Sequence, residues 1–477
     1  MNGPDRKSLQ SVLETAREQA IRQQRSVLAV ARYAMPATDL AAIYGQVNHA
    51  SFLRSQHPDL TLLGLGCSLH LSSSGGGALE DIAERWAQLC EIQSTETPAL
   101  LIGGARFDSC SPRSENWQAF DDASFVLAEW LFIQREDSVS LSGQYVVEAD
   151  SDVQAMATQG LQRYTSWVRG VACAANNHTP RIVKRASTSQ AHWQAMVERL
   201  LQRIETGALE KTVLARHVDY QLQQPLDSAA IIKQLCQSRQ AAHVFAIRRG
   251  DACFLGATPE RLIRSDQGHL FTHALAGTTR RSLNAEQDVL LGEALIANAK
   301  ERDEHRLVVE HITRVLHAHA CDVQYPEAPN LLKLKSVQHL STPVQASLPV
   351  GGNLLQLAAR LHPTPAVGGT PTADALGFIR QHEGFDRGWY AAPIGWIDSN
   401  GDGDLLVALR SALLRGKHCH LFAGCGIVQG SSAALEWSEI DSKLLTMQQA
   451  LGLTKQPSGN LTSSSSEPSP TPNYLSA

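Results

Sequence analysis

"NAKERDEHRLVVEHI", residues 298–312, reads as a helix whose polarity conflicts with its period. At 3.6 residues per turn, Glu301 and Glu304 fall on the stripe that runs on through Leu307, Val308, His311, Ile312 and Val315, the face meant for burial. Unpaired carboxylates are costly there. Whatever packs against the N-terminal end of this helix must therefore have a use for two inward-pointing acids.

A second segment poses the same problem. In "SAALEWSEIDSKLLTM", residues 432–447, Glu436, Glu439 and Lys443 are spaced i, i+3, i+7 on one helical face, and Glu439 and Lys443 can pair. An E-x-x-E alone is most often a solvated face. Two of them, with no CxxC pair and no clean His pair nearby, offer hard oxygen donors of the kind that suit Mg²⁺.

Other charged residues stand in strand-like runs. Lys211 in "LEKTVLARH" begins an aliphatic run, where desolvation disfavours an ammonium and a neutral amine can serve as general base; a lysine snorkelling at a strand end is the commoner case. In "FLGATPERLI" the run breaks at Pro259 and presents Glu260, a candidate general acid if apolar neighbours hold its proton, or else a first-turn acid after a helix-starting proline. Arg410 in "VALRSALL" reads as a guanidinium within a strand, which implies an anionic partner. "LFAGCGIVQGSS" places Gly424 and Gly426 after an apolar strand, where backbone could approach an anion. "DSNGDGDLLVAL" starts like a calcium loop but has Leu409 where the bidentate glutamate belongs, so it reads as a hairpin turn.

Composition limits the remaining options. The chain has 477 residues, 43% of them hydrophobic, with 42 Lys+Arg against 47 Asp+Glu, and so no basic excess for nucleic acid or a membrane surface. Nine cysteines, odd in number and widely spaced, fit neither a zinc site nor a disulfide scaffold and suit a reducing, cytoplasmic setting. The N-terminal 24 residues carry charges throughout, which excludes a signal peptide and reads as an exposed helix. Up to about residue 185, short apolar runs and turn signals suggest a meandering sheet; then "STSQAHWQAMVERLLQRIETG" reads as a helix with Gly207 as its stop. Chemically loaded residues concentrate after that point. The Ser/Pro-rich stretch 455–477 reads as a disordered tail.

Together these segments resemble the chorismate-utilising enzymes, and isochorismate synthases in particular. The resemblance runs from about Lys211 to Met447 through "KTVLAR", "LGATPERL", "LAGTTRR", "AKERDEH", "VQHLSTP", "LHPTPAVGGTP", "FDRGWYAAPIGW", "ALRSALL" and "AGCGIVQGSSAALEWSEIDSKL". More loosely, "GGARFDSCSPRSENWQAF" is similar to the N-terminal region of the longer, quinone-pathway members. The resemblance implies an α+β fold of large, mostly antiparallel sheets packed with helices in a single large domain. Residues 1–185 would form its N-terminal part and 186–454 its chorismate-binding catalytic region.

It also implies roles. Glu304 and Glu439 would ligate Mg²⁺ and Glu301 and Glu436 would hold its waters, clamping the ring carboxylate of chorismate. Lys211 would activate water for attack at C2, and Glu260 would protonate the departing C4 hydroxyl. Arg410 and the backbone at Gly424 and Gly426 would hold the enolpyruvyl carboxylate. Thr278, His339, Ala366, Tyr390 and Lys443 would complete the substrate pocket. Amine-transferring members of the family have Gln where this chain has Lys211, aminodeoxychorismate synthases have Lys where it has Ala276, and salicylate synthases have Thr where it has Ala366. The expectation is thus an Mg²⁺-dependent isochorismate synthase, monomeric, without a glutaminase subunit, feeding menaquinone or phylloquinone synthesis. A salicylate synthase, a siderophore-pathway isochorismate synthase and a non-catalytic Mg²⁺/chorismate-binding module are the alternatives.

Overall fold

Burial alternates with period two along the strand Ala252–Thr258: Cys253, Leu255 and Ala257 face one core, Ala252 and Phe254 another. Two cores imply a sheet covered on both sides. The computed structural model describes residues 3–56, 58–169, 180–238, 242–333 and 337–454; the Ser/Pro-rich tail lies outside the described residues. Among these residues the strands form one sheet of twelve and one of ten, and every ladder in both is antiparallel. The sheets share one core, with Phe245, Phe254 and Leu413 from the larger meeting Phe125, Ile263 and Leu405 from the smaller. The other face of the larger sheet is covered by helices, among them Arg6–Gln23, Gln190–Glu205, Ser228–Gln237 and Ala433–Ala450. At about 1.5–3 kcal/mol per fully buried large apolar side chain, this double core dominates stability.

Strands from either side of residue 185 interleave in both sheets. His49–Gln56 pairs with His243–Arg249 in the larger, and Leu100–Ala105 with Pro393–Asp398 in the smaller. The N-terminal part is therefore continuous with the rest, in one domain of the expected α+β class.

The N-terminal helix, Arg6–Gln23, is not the exposed helix expected: Leu9, Leu13, Ala16 and Ala20 are fully buried against the strand Val27–Met35 and the helix Val153–Arg169. Its stripe is narrow and half alanine, so charges outnumber it in the sequence. Gln190–Glu205 forms as read, capped by Ser189, which accepts from the His192 N–H at 3.2 Å, and followed by Gly207 at φ 73°. The calcium-like loop is a hairpin turn between Pro393–Asp398 and Gly403–Val407, and the Asp398 carboxylate accepts the N–H groups of Asn400 and Asp402 at 2.9 and 3.0 Å. Among the described residues no helix is long and apolar enough to cross a membrane.

Two crossovers place the site. The chain leaves the larger sheet after Thr258 and enters the smaller at Arg261, and it returns after Val407 to re-enter at Ser411. The run 407–414 is accordingly not one strand, and Arg410 does not lie within a strand. It stands in the break with φ 47°, a left-handed conformation that turns the chain from one sheet to the other. Gly424 and Gly426 also differ from expectation, lying inside the strand His418–Ile427 rather than after it.

Candidate active site

The two carboxylate-bearing helices start on different sheets, one on the smaller and one on the larger. Ala299–His319 is capped by Asn298, which accepts from the Glu301 N–H at 3.2 Å, and it packs on the strands His269–Arg280 and Val337–Ser347. Leu307, Val308 and Ile312 are buried as its period requires. His305 is buried as well, paired through Nε2 with Thr342 Oγ1 at 2.8 Å. Helix Ala433–Ala450 packs on the strand His418–Ile427. The N-terminal turns of the two helices bring Glu301, Glu304, Glu436 and Glu439 to one cavity.

That cavity also takes Glu260, Thr278, His339, Ala366, Tyr390, Arg410, Gly424, Gly426 and Lys443 in its lining. Lys211 alone of the expected residues stands outside it. Its side chain is enclosed at the start of the strand Lys211–Leu222, and its Nζ approaches Glu304 Oε1 at 2.9 Å, an ion pair whose angles fall short of a hydrogen bond. Gly426 makes this approach possible, because a Cβ there would lie 2.5 Å from Glu304 Oε1 and 2.9 Å from Lys211 Cε.

The other lysines are paired too. Lys443 Nζ lies 2.7 Å from Glu439 Oε1 and donates to the Gly424 carbonyl at 2.8 Å, while Lys300 Nζ reaches Glu436 Oε1 at 3.4 Å. A bulge supplies another contact: Gly277 sits at φ 77° where the ladder shifts between Ala276 and Thr278, and the Thr278 N–H donates to Glu301 Oε2 at 3.0 Å. Thr278 Oγ1 and His339 Nδ1 are 2.9 Å apart, whereas His339 Nε2 is buried without a partner among the described residues.

The electrostatics separate these groups by task. Burial raises the Glu260 carboxyl to about 7, even though Lys211 and Lys443 pull it down, so it can carry a proton at neutral pH. Burial alone would raise Glu304, but Lys211 overcomes it and holds the group below the ordinary carboxylate value. Glu301 is raised by burial and by Glu304, and Glu436 by burial and by Glu439. Burial, then Arg410 and Lys443, drop His339 to about 4, so its ring is neutral at pH 7. Arg410 is pushed down by burial, and among the described residues no hydrogen bond or ion pair engages its guanidinium. A desolvated guanidinium facing a cavity is suited to a carboxylate ligand.

The donor set also bears on the metal. Four carboxylates converge on one cavity, and two of them are held above their ordinary range partly by a neighbouring carboxylate, so the cluster is short of positive charge. Among the described residues no three His, Cys, Asp or Glu groups lie close enough to share an ion as the side chains stand, because three of the four carboxylates are turned to lysines. The chemistry fits a hard divalent cation, and the rotamers are those of a lysine-compensated cluster.

The sequence reading did not single out Lys300, Val213, Leu275, Gly277 or Cys425, all of which line the cavity. Lys300 could have been found from its place in a helix first turn, where a cation opposes the macrodipole. Tyr390, expected in the substrate pocket, is a cavity wall and also a core residue stacked on Phe422 with ring centroids 5.3 Å apart.

Comparison with known proteins places the chain in a family. A family model described as "Chorismate binding enzyme" matches residues 12–452. The chain is 40% identical over 449 residues to the salicylate biosynthesis isochorismate synthase of Pseudomonas aeruginosa, covering 93% of this chain and 94% of that one. It is 32% identical over 413 residues to the isochorismate synthase MenF of Bacillus subtilis, covering 84% and 87%. Among solved structures, the menaquinone-specific isochorismate synthase MenF of Escherichia coli superposes with a TM-score of 0.78 at 27% identity, over 92% of this chain and all of that one. Identity is thus higher to the salicylate-biosynthesis relative than to the Bacillus subtilis MenF or to the menaquinone-specific Escherichia coli structure. Matched along almost its whole length, the chain belongs to the chorismate binding enzyme family, with isochorismate synthases as its relatives.

Proposed function

We propose that this protein is an isochorismate synthase that adds water at C2 of chorismate and expels the C4 hydroxyl, with Mg²⁺ as its cofactor. The observation that carries the reading is Glu260: a carboxyl raised to about 7 in a cavity that also presents an unpaired guanidinium and four further carboxylates. Bound Mg²⁺ would supply a Lewis-acidic clamp for the ring carboxylate, held by Glu304 and Glu439 with Glu301 and Glu436 on its waters.

The remaining work falls to the chain's own side chains. Arg410, free of protein partners among the described residues, takes the enolpyruvyl carboxylate, next to the glycine-lined strand edge at Gly424 and Gly426. Thr278 fixes the His339 ring through Nδ1 and leaves Nε2 for the substrate ring. Lys211 takes the proton of the attacking water, and Glu260 gives its own to the C4 oxygen as that C–O bond breaks. The reaction consumes one water and releases one. While Lys211 is paired with Glu304 it is shielded from the cavity, so it can act as base only when Glu304 is engaged otherwise.

The 40% identity across nearly all of both chains favours supply of isochorismate to salicylate or siderophore synthesis over quinone synthesis. Incubation of the purified protein with chorismate and Mg²⁺, and again with EDTA, tests the reaction and its metal requirement by HPLC with a pyruvate assay. Isochorismate without pyruvate, lost on chelation, is the expected result. Salicylate with pyruvate would reassign the protein as a salicylate synthase, and binding without turnover would make it a non-catalytic module.

A further inference from the structure

We propose that Lys300 is a built-in counter-ion of the carboxylate cluster, holding Glu436 when no divalent cation is bound and yielding when one enters, so that it sets the affinity for that cation. The inference rests on the carboxylate site proposed above.

Lys300 occupies the first turn of the helix Ala299–His319, where a positive charge opposes the helix macrodipole. The helix itself gains nothing from a lysine there. What the position achieves is a bridge between the two helix N-termini, since Lys300 Nζ reaches Glu436 Oε1 in the first turn of Ala433–Ala450 at 3.4 Å.

Charge counting shows why a bridge is required. The cavity and its back wall hold five carboxylates, Glu260, Glu301, Glu304, Glu436 and Glu439, against Lys211, Lys300, Lys443 and Arg410. Without Lys300 the acids of two helix ends would face each other with only two of them paired. The three lysines are not held alike. Lys211 is 1% exposed in its side chain, and Lys443 has the Gly424 carbonyl at 2.8 Å as a second anchor. Lys300 is 35% exposed, and among the described residues its ammonium has only the long contact to Glu436. It is the cation that can leave at least cost, since its flexible stem can carry the head out to water. An incoming divalent ion replaces one positive charge with two, and the affinity it displays is reduced by whatever Lys300 contributes.

The test is direct cation binding to the chelator-stripped protein, with Mn²⁺ followed by EPR and Mg²⁺ by calorimetry. Lys300→Met should bind either ion roughly tenfold more tightly, because a nearby positive charge no longer competes. Its melting temperature should also gain more on adding the ion than the wild type's does. Lys300→Arg, which keeps the charge, should stay near wild type. Unchanged or weakened binding in Lys300→Met overturns the inference, as does equal tightening in Lys300→Arg. If the wild type binds and Glu439→Gln weakens it while Lys300→Met does nothing, only the role of Lys300 falls; if the wild type takes up neither ion, the carboxylate site falls with it.

Discussion

Glu260 and Arg410 stand on two neighbouring crossovers that are hydrogen-bonded to each other. The Val407 N–H donates to the Glu260 carbonyl at 3.0 Å, and the Ala257 N–H donates to the Arg410 carbonyl at 3.1 Å. Thr258, fully buried, ties the same knot through Oγ1, donating to the Val407 carbonyl at 2.6 Å and accepting from the Glu260 N–H at 3.2 Å. The proposed acid and the carboxylate-binding guanidinium are thus spaced by backbone rather than by flexible side chains. That rigidity makes the consequences of changing either one specific.

Glu260→Gln should lower kcat by about 10²- to 10⁴-fold with little change in chorismate binding, since a fixed proton donor is lost and shape is kept. In the wild type the acid form disappears as pH rises through about 7, so kcat should fall on the alkaline side. Stability should move with it. A carboxyl that holds its proton to about 7 when folded, against an ordinary 4.5, costs folding free energy as pH rises through that window. Glu260→Gln should therefore melt above the wild type at pH 8 and lose the advantage at pH 4; melts that differ equally at both values would contradict the burial argument.

Arg410→Ala should act on binding instead. Losing charge-assisted hydrogen bonds to a substrate carboxylate costs about 1.5–3 kcal/mol, or roughly 10- to 100-fold in KM. Because Arg410 holds φ 47°, Arg410→Gly is the useful companion: it removes the same guanidinium and relieves the left-handed strain. Both variants should show the same KM, with the glycine protein the more stable.

These crossovers were hidden in the sequence for a physical reason. Through "LLVALRSALL" aliphatic residues flank Arg410 and Ser411 on both sides, and no Gly or Pro marks the point at which Arg410 turns the chain from sheet to sheet. Nor does the sequence display long-range pairing, such as His49–Gln56 beside His243–Arg249, because strand partners are chosen by packing across hundreds of residues. The acids were legible because the 3.6-residue period puts them on a burial face, and Lys211 because it stands at the start of an aliphatic run. That Lys211 faces Glu304 rather than the open cavity depends on a glycine in a different strand, a tertiary fact with no local signal.

Lys211→Ala should abolish hydration while the fold survives. The pair it breaks is enclosed, with side chains 1% and 15% exposed, so stability should drop by up to about 3–5 kcal/mol, the range for removing one partner of a buried pair. The sign with pH is distinctive. Glu304 is held below its ordinary value by Lys211, so its contribution is present above that value and lost as pH falls. Urea unfolding should show the deficit of Lys211→Ala at pH 7 and a smaller one at pH 4.

Behind the cavity, the buried Glu383–Arg387 pair stands in for a missing strand. Between the two segments that pair with the outer edge of Lys211–Leu222, Glu383 Oε1 accepts from the Ala215 N–H at 2.8 Å. Arg387 donates to the carbonyls of Val213 at 2.8 Å and Val367 at 3.0 Å. Glu383→Ala should cost about 3–5 kcal/mol, as expected when a buried charge loses its partner. Replacing both residues with Met would ordinarily restore stability, but here it should not, because three backbone groups would lose their partners as well. Chemical denaturation of the double variant decides the point: recovery to near wild type would mean that the pair is only an ion pair.

Gly426→Ala tests the centre of the site with a single methyl group. Its Cβ would fall 2.5 Å from Glu304 Oε1 and 2.9 Å from Lys211 Cε, closer than any real contact, so the ion pair must part or the strand must shift. Overpacking of this kind costs about 1–3 kcal/mol, and turnover should fall much further because base and proposed metal ligand are displaced together. Gly377 supplies the control, since it lies in the helix Thr372–His382 and an added methyl group there would meet nothing within 4 Å. Gly377→Ala should stabilise by about 0.4–1 kcal/mol through the unfolded chain and leave kcat unchanged. Full activity in Gly426→Ala would mean that Glu304 and Lys211 have room to separate, and that their contact is not what positions either of them.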